Sequence, residues 1–164
     1  MNINDSDPID PLEESFHAIV HRLKHSEVEL MDPEIKKILL TFQANEITEY
    51  HIYKKLSESI SCEHNKKILS EIGDSELAHA QFFESLTQES VKPNRFKIWK
   101  YYLISKLFGF TFGIKLMEKG EEHAQHHYNN LIGKVDGIEK IINDENDHEE
   151  ALIELLDEER LKYI

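Results

Sequence analysis

The feature that most restricts the fold of this chain is an internal repeat of two helical patterns. The stretch FQANEITEYHIYKKL aligns without gaps with MEKGEEHAQHHYNNL, which pairs Glu46 with Glu121 and Tyr53 with Tyr128. In each half the glutamate precedes the tyrosine by seven residues. That spacing is close to two helical turns, so the two side chains lie on the same face of a helix. The repeat predicts two related helices that turn equivalent faces towards a shared core.

A second alignment relates the helices that follow these two stretches. It pairs Glu76 with Glu145 and His79 with His148, so both halves read Glu-x-x-His. Residues three apart are neighbours on a helix, and each motif can therefore direct a carboxylate oxygen and an imidazole nitrogen at one point. One glutamate followed by Glu-x-x-His on the next helix, repeated once, is the ligand pattern of di-iron carboxylate bundles. The alternative is a set of ordinary solvated helix faces.

The spacing of apolar residues predicts an all-α fold. The chain has only 6 glycines and 4 prolines, which suits helices better than a turn-rich β-protein. Helices of about 25 residues would be roughly 38 Å long, the length scale of a four-helix bundle. We predict four long helices and a helical crossover between the second and the third. In chain order the five predicted helices span residues 33–60, 66–90, about 93–108, about 109–131 and about 136–163.

The predicted bundle occupies residues 33–164, and residues 1–32 form a separate lead segment. The boundary is Asp32 followed by Pro33, a typical cap residue and a proline at the first helical position. The lead segment contains a short amphipathic pattern that predicts a further helix. Its apolar residues are Leu12, Phe16, Ile19, Val20 and Leu23.

The repeated acidic and histidine residues predict a centre of two metal ions. Four carboxylates and two imidazoles in an apolar core would be costly unless a cation neutralised them. Two divalent ions balance four carboxylates and leave one histidine for each ion. Many oxygen ligands with two nitrogens favour iron, with manganese as the alternative, since zinc usually takes four tight ligands. The six residues are Glu46, Glu76, His79, Glu121, Glu145 and His148.

Charge and composition exclude several other classes of protein. The net charge of −13 opposes general binding of nucleic acid, whose phosphates the acidic surface would repel. The single cysteine, Cys62, has no partner for a disulfide or a CxxC site and is expected to be a packed or surface thiol. We find neither a secretion signal nor the roughly 20 uninterrupted apolar residues of a transmembrane helix. A cytoplasmic protein is therefore expected.

In motif order and spacing the chain resembles the rubrerythrin branch of the ferritin-like superfamily over roughly residues 35–160. By this resemblance, the single glutamates of the first and third long helices each bind one ion. The glutamate of each Glu-x-x-His motif bridges both ions, the histidines are terminal ligands, and all six residues serve catalysis. Tyr53 and Tyr128 resemble tyrosines that hydrogen-bond to ligating carboxylates in that family.

The same resemblance suggests roles for residues beside the six. Rubrerythrins often hold one more glutamate that can switch onto the metal, and Glu49 is the first candidate, with Glu118 second. Each has an alternative as an ordinary exposed helix acid. Three further histidines can be solvated side chains or an accessory metal or access site, and they are His123, His126 and His127.

A narrower resemblance is carried by FKIWKYYLISKLFGFTFGIKLMEKGEE and by the C-terminal LLDEERLKYI. Both are similar to the soluble N-terminal ferritin-like domain of membrane-bound ferritins of the vacuolar iron transporter family. In that family a membrane domain follows the last helix. The resemblance thus implies either a domain at the cytoplasmic face of a membrane, attached to a transporter domain beyond residue 164, or a standalone relative.

The segment between the two halves differs in charge from the rest of the chain. Residues 91–119 contain seven Lys or Arg and one acid, Glu118, which gives +6 and leaves −19 for the remainder. The segment is also rich in aromatic residues, and such a helix can lie at a membrane interface or be buried against a second copy of the chain. A long crossover also allows two chains to exchange helices, so a homodimer, helix-swapped or not, is expected.

Three functions fit these features. The first is a ferroxidase, in which Fe²⁺ binds the six-residue centre and is oxidised by O₂ or H₂O₂ for iron detoxification or transport. The second is a binding module that senses Fe²⁺ or delivers it to a membrane transporter. The third is a peroxide-scavenging rubrerythrin with an external electron donor, because the paired CxxC motifs of a rubredoxin domain are missing here.

Overall fold

The computed structural model describes residues 31–156. Helices account for 82% of these residues, and no strand occurs among them, so the all-α prediction is confirmed. A short 3₁₀ turn, Asn129–Leu131, precedes the last helix. The five helices are α1 (Pro33–Ser57), α2 (Glu63–Thr87), α3 (Arg95–Phe108), α4 (Phe110–Tyr128) and α5 (Ile138–Glu154).

The helix ends follow local capping chemistry. At the start of α1 the Asp32 side chain accepts a hydrogen bond of 2.8 Å from the backbone N–H of Glu34. Pro33 occupies the first turn, as the sequence predicts. The joint between α3 and α4 falls at Gly109, whose φ of +95° is a conformation that residues with a side chain rarely adopt.

Several predicted helix limits differ from the structure, among them the end of α1, which lies at Ser57 rather than at residue 60. Helix α2 begins at Glu63, inside the expected break, because an acid in the first turn is favoured by the helix dipole. It ends at Thr87, since Gln88 adopts a left-handed conformation with φ of +56°. Helix α5 ends at Glu154 and has 17 residues, fewer than expected. The predicted N-terminal helix and residues 157–164 lie outside the described part of the chain.

Two apolar clusters organise the helices. The first joins the C-terminal halves of α1 and α5 to the N-terminal halves of α2 and α4. The second joins the opposite halves of the same four helices. Successive long helices therefore run in alternating directions. Cluster 1 consists of Ile52, Tyr53, Leu56, Leu69, Ile72, Ile114, Met117, Leu152 and Leu155. Cluster 2 consists of Leu39, Phe83, Tyr128, Leu131, Val135, Ile138 and Ile141.

Helix α3 lies outside these four helices, against the C-terminal half of α1. The backbone N–H of Asn94 donates to Thr48 Oγ1 at 2.9 Å, and Lys106 Nζ donates to the Ser59 carbonyl at 3.2 Å. Ile98 and Tyr101 pack against cluster 1, yet no residue of α3 is fully buried. Between residues 31 and 156 no helix has the length and apolar character that crossing a bilayer requires.

Candidate metal centre

The six side chains predicted as ligands lie between cluster 1 and cluster 2. Helices α1 and α4 contribute one glutamate each, and α2 and α5 contribute one Glu-x-x-His motif each. All six are at most 7% exposed. The structure therefore brings together four acids and two histidines from four helices in the interior, where an uncompensated charge is most costly.

The six residues form two overlapping groups that can each hold a cation. In each group the ligand atoms all lie within 4.8 Å of one another. Glu76 and Glu145 belong to both groups. The first group is Glu46, Glu76, His79 and Glu145, and the second is Glu76, Glu121, Glu145 and His148. Carboxylates have two oxygens, so the two shared glutamates can each serve both positions.

The histidines turn Nδ1 towards the carboxylates. His79 Nδ1 lies 3.2 Å from Glu76 Oε2 and 3.2 Å from Glu145 Oε1. His148 Nδ1 lies 3.0 Å from Glu76 Oε1 and 3.7 Å from Glu145 Oε2. The two imidazole centroids are 5.7 Å apart. In each imidazole the nitrogen that faces the acids is also the one that a metal ion between them would use.

Two tyrosines connect the repeated halves. Tyr53 on α1 donates a hydrogen bond to Glu121 Oε1 on α4, and Tyr128 on α4 donates to Glu46 Oε1 on α1. Both tyrosines are at most 2% exposed. Each one therefore orients a carboxylate of the other half and leaves the second oxygen of that carboxylate for a cation.

The histidines carry positive charge in the metal-free protein. Burial lowers the pKa of His148, but the close carboxylates of Glu145 and Glu76 outweigh it and raise that pKa to about 9. Burial likewise lowers the pKa of His79, and contacts with Glu145 and Glu46 raise it far above its ordinary value. Two imidazolium ions thus compensate part of the acidic charge.

The four carboxylates divide into two kinds. Burial raises the pKa of Glu145, but the close imidazoles of His148 and His79 lower it to about 2. Burial also raises the pKa of Glu76, but His148 and His79 lower it below its ordinary value. For Glu46 and Glu121, burial and the nearby acids raise the pKa well above its ordinary value. Contacts with the imidazoles thus favour the charged form of Glu76 and Glu145, whereas burial and the neighbouring acids favour the protonated form of Glu46 and Glu121.

Unsatisfied atoms at the centre fit a cation. Among the described residues, six buried side-chain polar atoms lack a hydrogen bond of normal geometry, and five of them belong to this cluster. Buried oxygens without a donor are unfavourable, and a positive ion would satisfy several of them at once. The five atoms are Glu46 Oε2, Glu76 Oε1, both carboxylate oxygens of Glu145, and His148 Nδ1. The residues present therefore suit a metal ion.

The two candidate switching glutamates lie outside both groups. Glu49 is partly buried, and Lys97 from α3 donates to its Oε1 at 2.8 Å. Burial raises the pKa of Glu49 to about 7, although Lys97 opposes the rise. Glu118 is 6% exposed and forms an ion pair of 2.5 Å with Lys115. A role for either residue as a metal ligand stays a prediction.

The three additional histidines are exposed on α4. His123 and His127 lie one turn apart, with ring centroids 5.8 Å from each other, and both line a pocket of about 480 Å³. Glu49 and Lys97 also line this pocket. A role as an accessory metal or access site stays a prediction, and His126 does not line the pocket.

Sequence reasoning missed Asp144. His79 Nε2 lies 3.1 Å from Asp144 Oδ2, and because a carboxylate only accepts, the imidazole donates. Lys140 Nζ also donates to Asp144 Oδ2, at 2.8 Å. The repeat aligns Asp144 with Ser75 and so gave no signal. Spacing along α5 would instead have paired Asp144 with His148, four residues later.

Comparison of the chain with protein-family models, curated proteins and solved structures finds no match. The resemblance to rubrerythrins thus rests on the order and spacing of the motifs and stays a prediction.

Proposed function

We propose that this protein is a ferritin-like four-helix bundle with a di-iron centre that binds Fe²⁺ and oxidises it with O₂ or H₂O₂. The observation that supports the proposal is the sharing of Glu76 and Glu145 between two adjoining ligand groups. A single metal ion would need only one group. Two groups with two common carboxylates suit a pair of ions held side by side.

Each residue would have a defined task in this centre. Glu76 and Glu145 would bridge the two positions, because each contributes to both groups. Glu46 and His79 would complete one position, and Glu121 and His148 the other. Oxygen-rich ligation with one nitrogen per ion supports iron or manganese over zinc, and iron is the ion whose oxidation this centre would serve.

The charges of the residues fit the loading of two divalent ions. In the metal-free protein the pKa shifts favour protons on both histidines and on Glu46 and Glu121, an arrangement in which the cluster of four carboxylates is close to neutral. Two divalent ions would replace those four protons without changing the total charge. Two bound Fe²⁺ would supply one electron each and become Fe³⁺, and with the uptake of two protons these electrons would reduce O₂ to H₂O₂, or H₂O₂ to two water molecules.

The test is an anaerobic titration of the full chain with Fe²⁺, followed by a pulse of O₂ or H₂O₂. We expect about two ions per chain and a rapid rise in the near-ultraviolet absorbance of the ferric product. Glu76→Ala and His148→Ala should each lose metal and the absorbance change. Glu71→Ala, an exposed acid on the same helix as Glu76, is the matched control and should retain both.

Other outcomes would replace the proposal. Two ions bound reversibly with slow oxidation would identify a sensing or delivery module. Much faster reaction with H₂O₂ than with O₂, sustained by an added reductase, would identify a peroxide scavenger. Unchanged metal content in Glu76→Ala and His148→Ala would remove the metal centre altogether.

A further inference from the structure

Helix α3 has an apolar face that points away from the other described helices. Phe96 is 80% exposed, Leu107 is 76% exposed, and Trp99 and Leu103 are each 51% exposed. Their spacing of three, four and four residues places them on one side of the helix. The opposite side, with Ile98 and Tyr101, packs against cluster 1. The apolar face is therefore not explained by the packing of the described chain.

This concentration is unusual within the molecule. Eight large apolar side chains are exposed among the described residues, and five of them lie in α3. The other three, Ile38, Ile132 and Ile153, are separate from one another in the chain. Single exposed apolar residues are common, whereas a continuous row marks a surface that binds something.

Basic side chains border the apolar face on both sides. Arg95 and Lys106 lie along one edge of it and Lys100 along the other, as their helical positions require. A pocket of about 780 Å³ adjoins this face between α1 and α3. Its lining includes four basic side chains and one acid. They are Lys54, Lys55, Lys92, Arg95, which also borders the apolar face, and Glu58.

Trp99 links the apolar face to this basic pocket. Lys55 Nζ lies 4.1 Å from the centroid of the Trp99 ring and 4.6 Å from that of Tyr102. An indole held beside ammonium groups has an apolar body and a polar edge, the combination that favours the interface between hydrocarbon and water.

We propose that the outer face of α3 docks on the surface of an anionic lipid bilayer. The apolar row would enter the headgroup region with the helix parallel to the membrane plane, and the basic residues would contact lipid phosphates. The segment 91–119 carries +6, whereas the remaining chain carries −19. Only charges within about one Debye length, roughly 8 Å, contribute strongly, so the acidic remainder does not prevent docking through this face.

A second copy of the chain is a poorer occupant of the same face. Symmetric pairing of α3 with α3 would set the basic edges of the two copies against each other, and like charges across an interface are unfavourable. A bilayer with anionic headgroups instead offers apolar and negative groups together, which matches both properties of the face.

The test uses the full chain and vesicles of phosphatidylcholine with or without phosphatidylserine. Trp99 is the only tryptophan, so its emission reports on the proposed surface. We expect sedimentation with phosphatidylserine vesicles, a blue shift of the emission, and loss of binding at high salt. Vesicles of phosphatidylcholine alone should bind about tenfold less protein.

Matched variants distinguish binding through this surface from nonspecific adsorption of the protein to vesicles. Leu103→Ser with Leu107→Ser, and separately Arg95→Glu with Lys100→Glu, should each weaken binding at least about tenfold. Ile132→Ser with Ile153→Ser, and Lys66→Glu with Lys67→Glu, make the same changes elsewhere and should leave it intact. Circular dichroism checks that each variant is folded.

Three results would overturn the proposal. One is equal binding to both kinds of vesicle, and another is binding that survives both α3 variants. The third is a dimer in sedimentation velocity that Leu103→Ser with Leu107→Ser converts to a monomer, with no vesicle binding by the original chain. That result would assign the face to a second copy.

Discussion

At the scale of single residues, the two histidines of the centre have different surroundings. His79 donates through Nε2 to Asp144, which Lys140 also holds, and Ser75, the residue that the repeat aligns with Asp144, also faces His79, with its Oγ 3.5 Å from the same Nε2. No hydrogen bond of His148 Nε2 occurs among the described residues. A carboxylate behind an imidazole fixes the ring and strengthens the imidazole as a ligand. The two metal positions are therefore expected to differ in affinity, with the His79 position the tighter.

Replacement of Asp144 tests this difference. Asp144→Asn should weaken metal binding at the His79 position about tenfold to a hundredfold, because the amide supports the imidazole less well. Calorimetric titration with Mn²⁺, which avoids oxidation, would resolve the two binding steps. Asp147→Asn, an exposed acid on the same helix, is the control and should change neither step. Equal weakening of both steps would contradict a local role for Asp144.

The protonation of the ligands predicts how metal affinity depends on pH. The pKa of His148 is about 9 in the metal-free protein, so at neutral pH its Nδ1 holds a proton that an incoming ion must displace. Affinity should therefore rise with pH, and the dependence should weaken as the pH passes about 9. Competition with a chelator of known affinity at several pH values measures this slope. A flat profile would mean that His148 is neutral before metal arrives.

At the scale of helices, the contact between α3 and α4 depends on one glycine. A Cβ added at Gly113 would lie 2.7 Å from Ser105 Cβ and 3.2 Å from Ser105 Cα, whereas one added at Gly120 on the same helix meets nothing within 4 Å. Alanine substitution at the two positions therefore measures two separate effects, the close packing against α3 at Gly113 and the low helix propensity of glycine at Gly120.

The two glycines should respond in opposite directions to alanine. Gly113→Ala should lower the free energy of unfolding by about 1–3 kcal/mol, because helix α3 must move away from α4. Gly120→Ala should raise it by up to about 1 kcal/mol, since alanine favours a helix interior. Urea denaturation measures both. Stabilisation by Gly113→Ala would mean that α3 moves at little cost.

The sequence predicted the parts of the fold that depend on regular spacing. The break between the third and fourth helices near residue 108, the start of α1 at Pro33 and the alignment of Glu-x-x-His in two helices all follow from periodicity and capping. The early start of α2 and the left-handed Gln88 were missed because they depend on local turn geometry. The contact from Asp144 to His79 joins two helices, and spacing within one helix carries no information about it.

At the scale of the whole molecule, the sequence left open what contacts the aromatic and basic segment. The aromatic and basic segment was compatible with a membrane interface or with a contact between two copies, and the structure adds that its apolar row faces outwards. Which side of a helix remains uncovered depends on packing. Ile98 and Phe96 are both large apolar residues, so composition alone does not show that Ile98 packs inwards and Phe96 is exposed.

The distribution of the ligands over both halves has a consequence for the rates of folding and unfolding. Each ligand group combines residues of the α1–α2 pair with residues of the α4–α5 pair, so neither pair alone offers a complete site. If the pairs dock after the main folding barrier, metal should slow unfolding and leave the folding rate unchanged. Stopped-flow measurements of the folding and unfolding rates with and without Mn²⁺, with His148→Ala as the control, would show whether the bound ion slows unfolding of the assembled protein. Faster folding with metal would instead place the docking of the two pairs before the barrier.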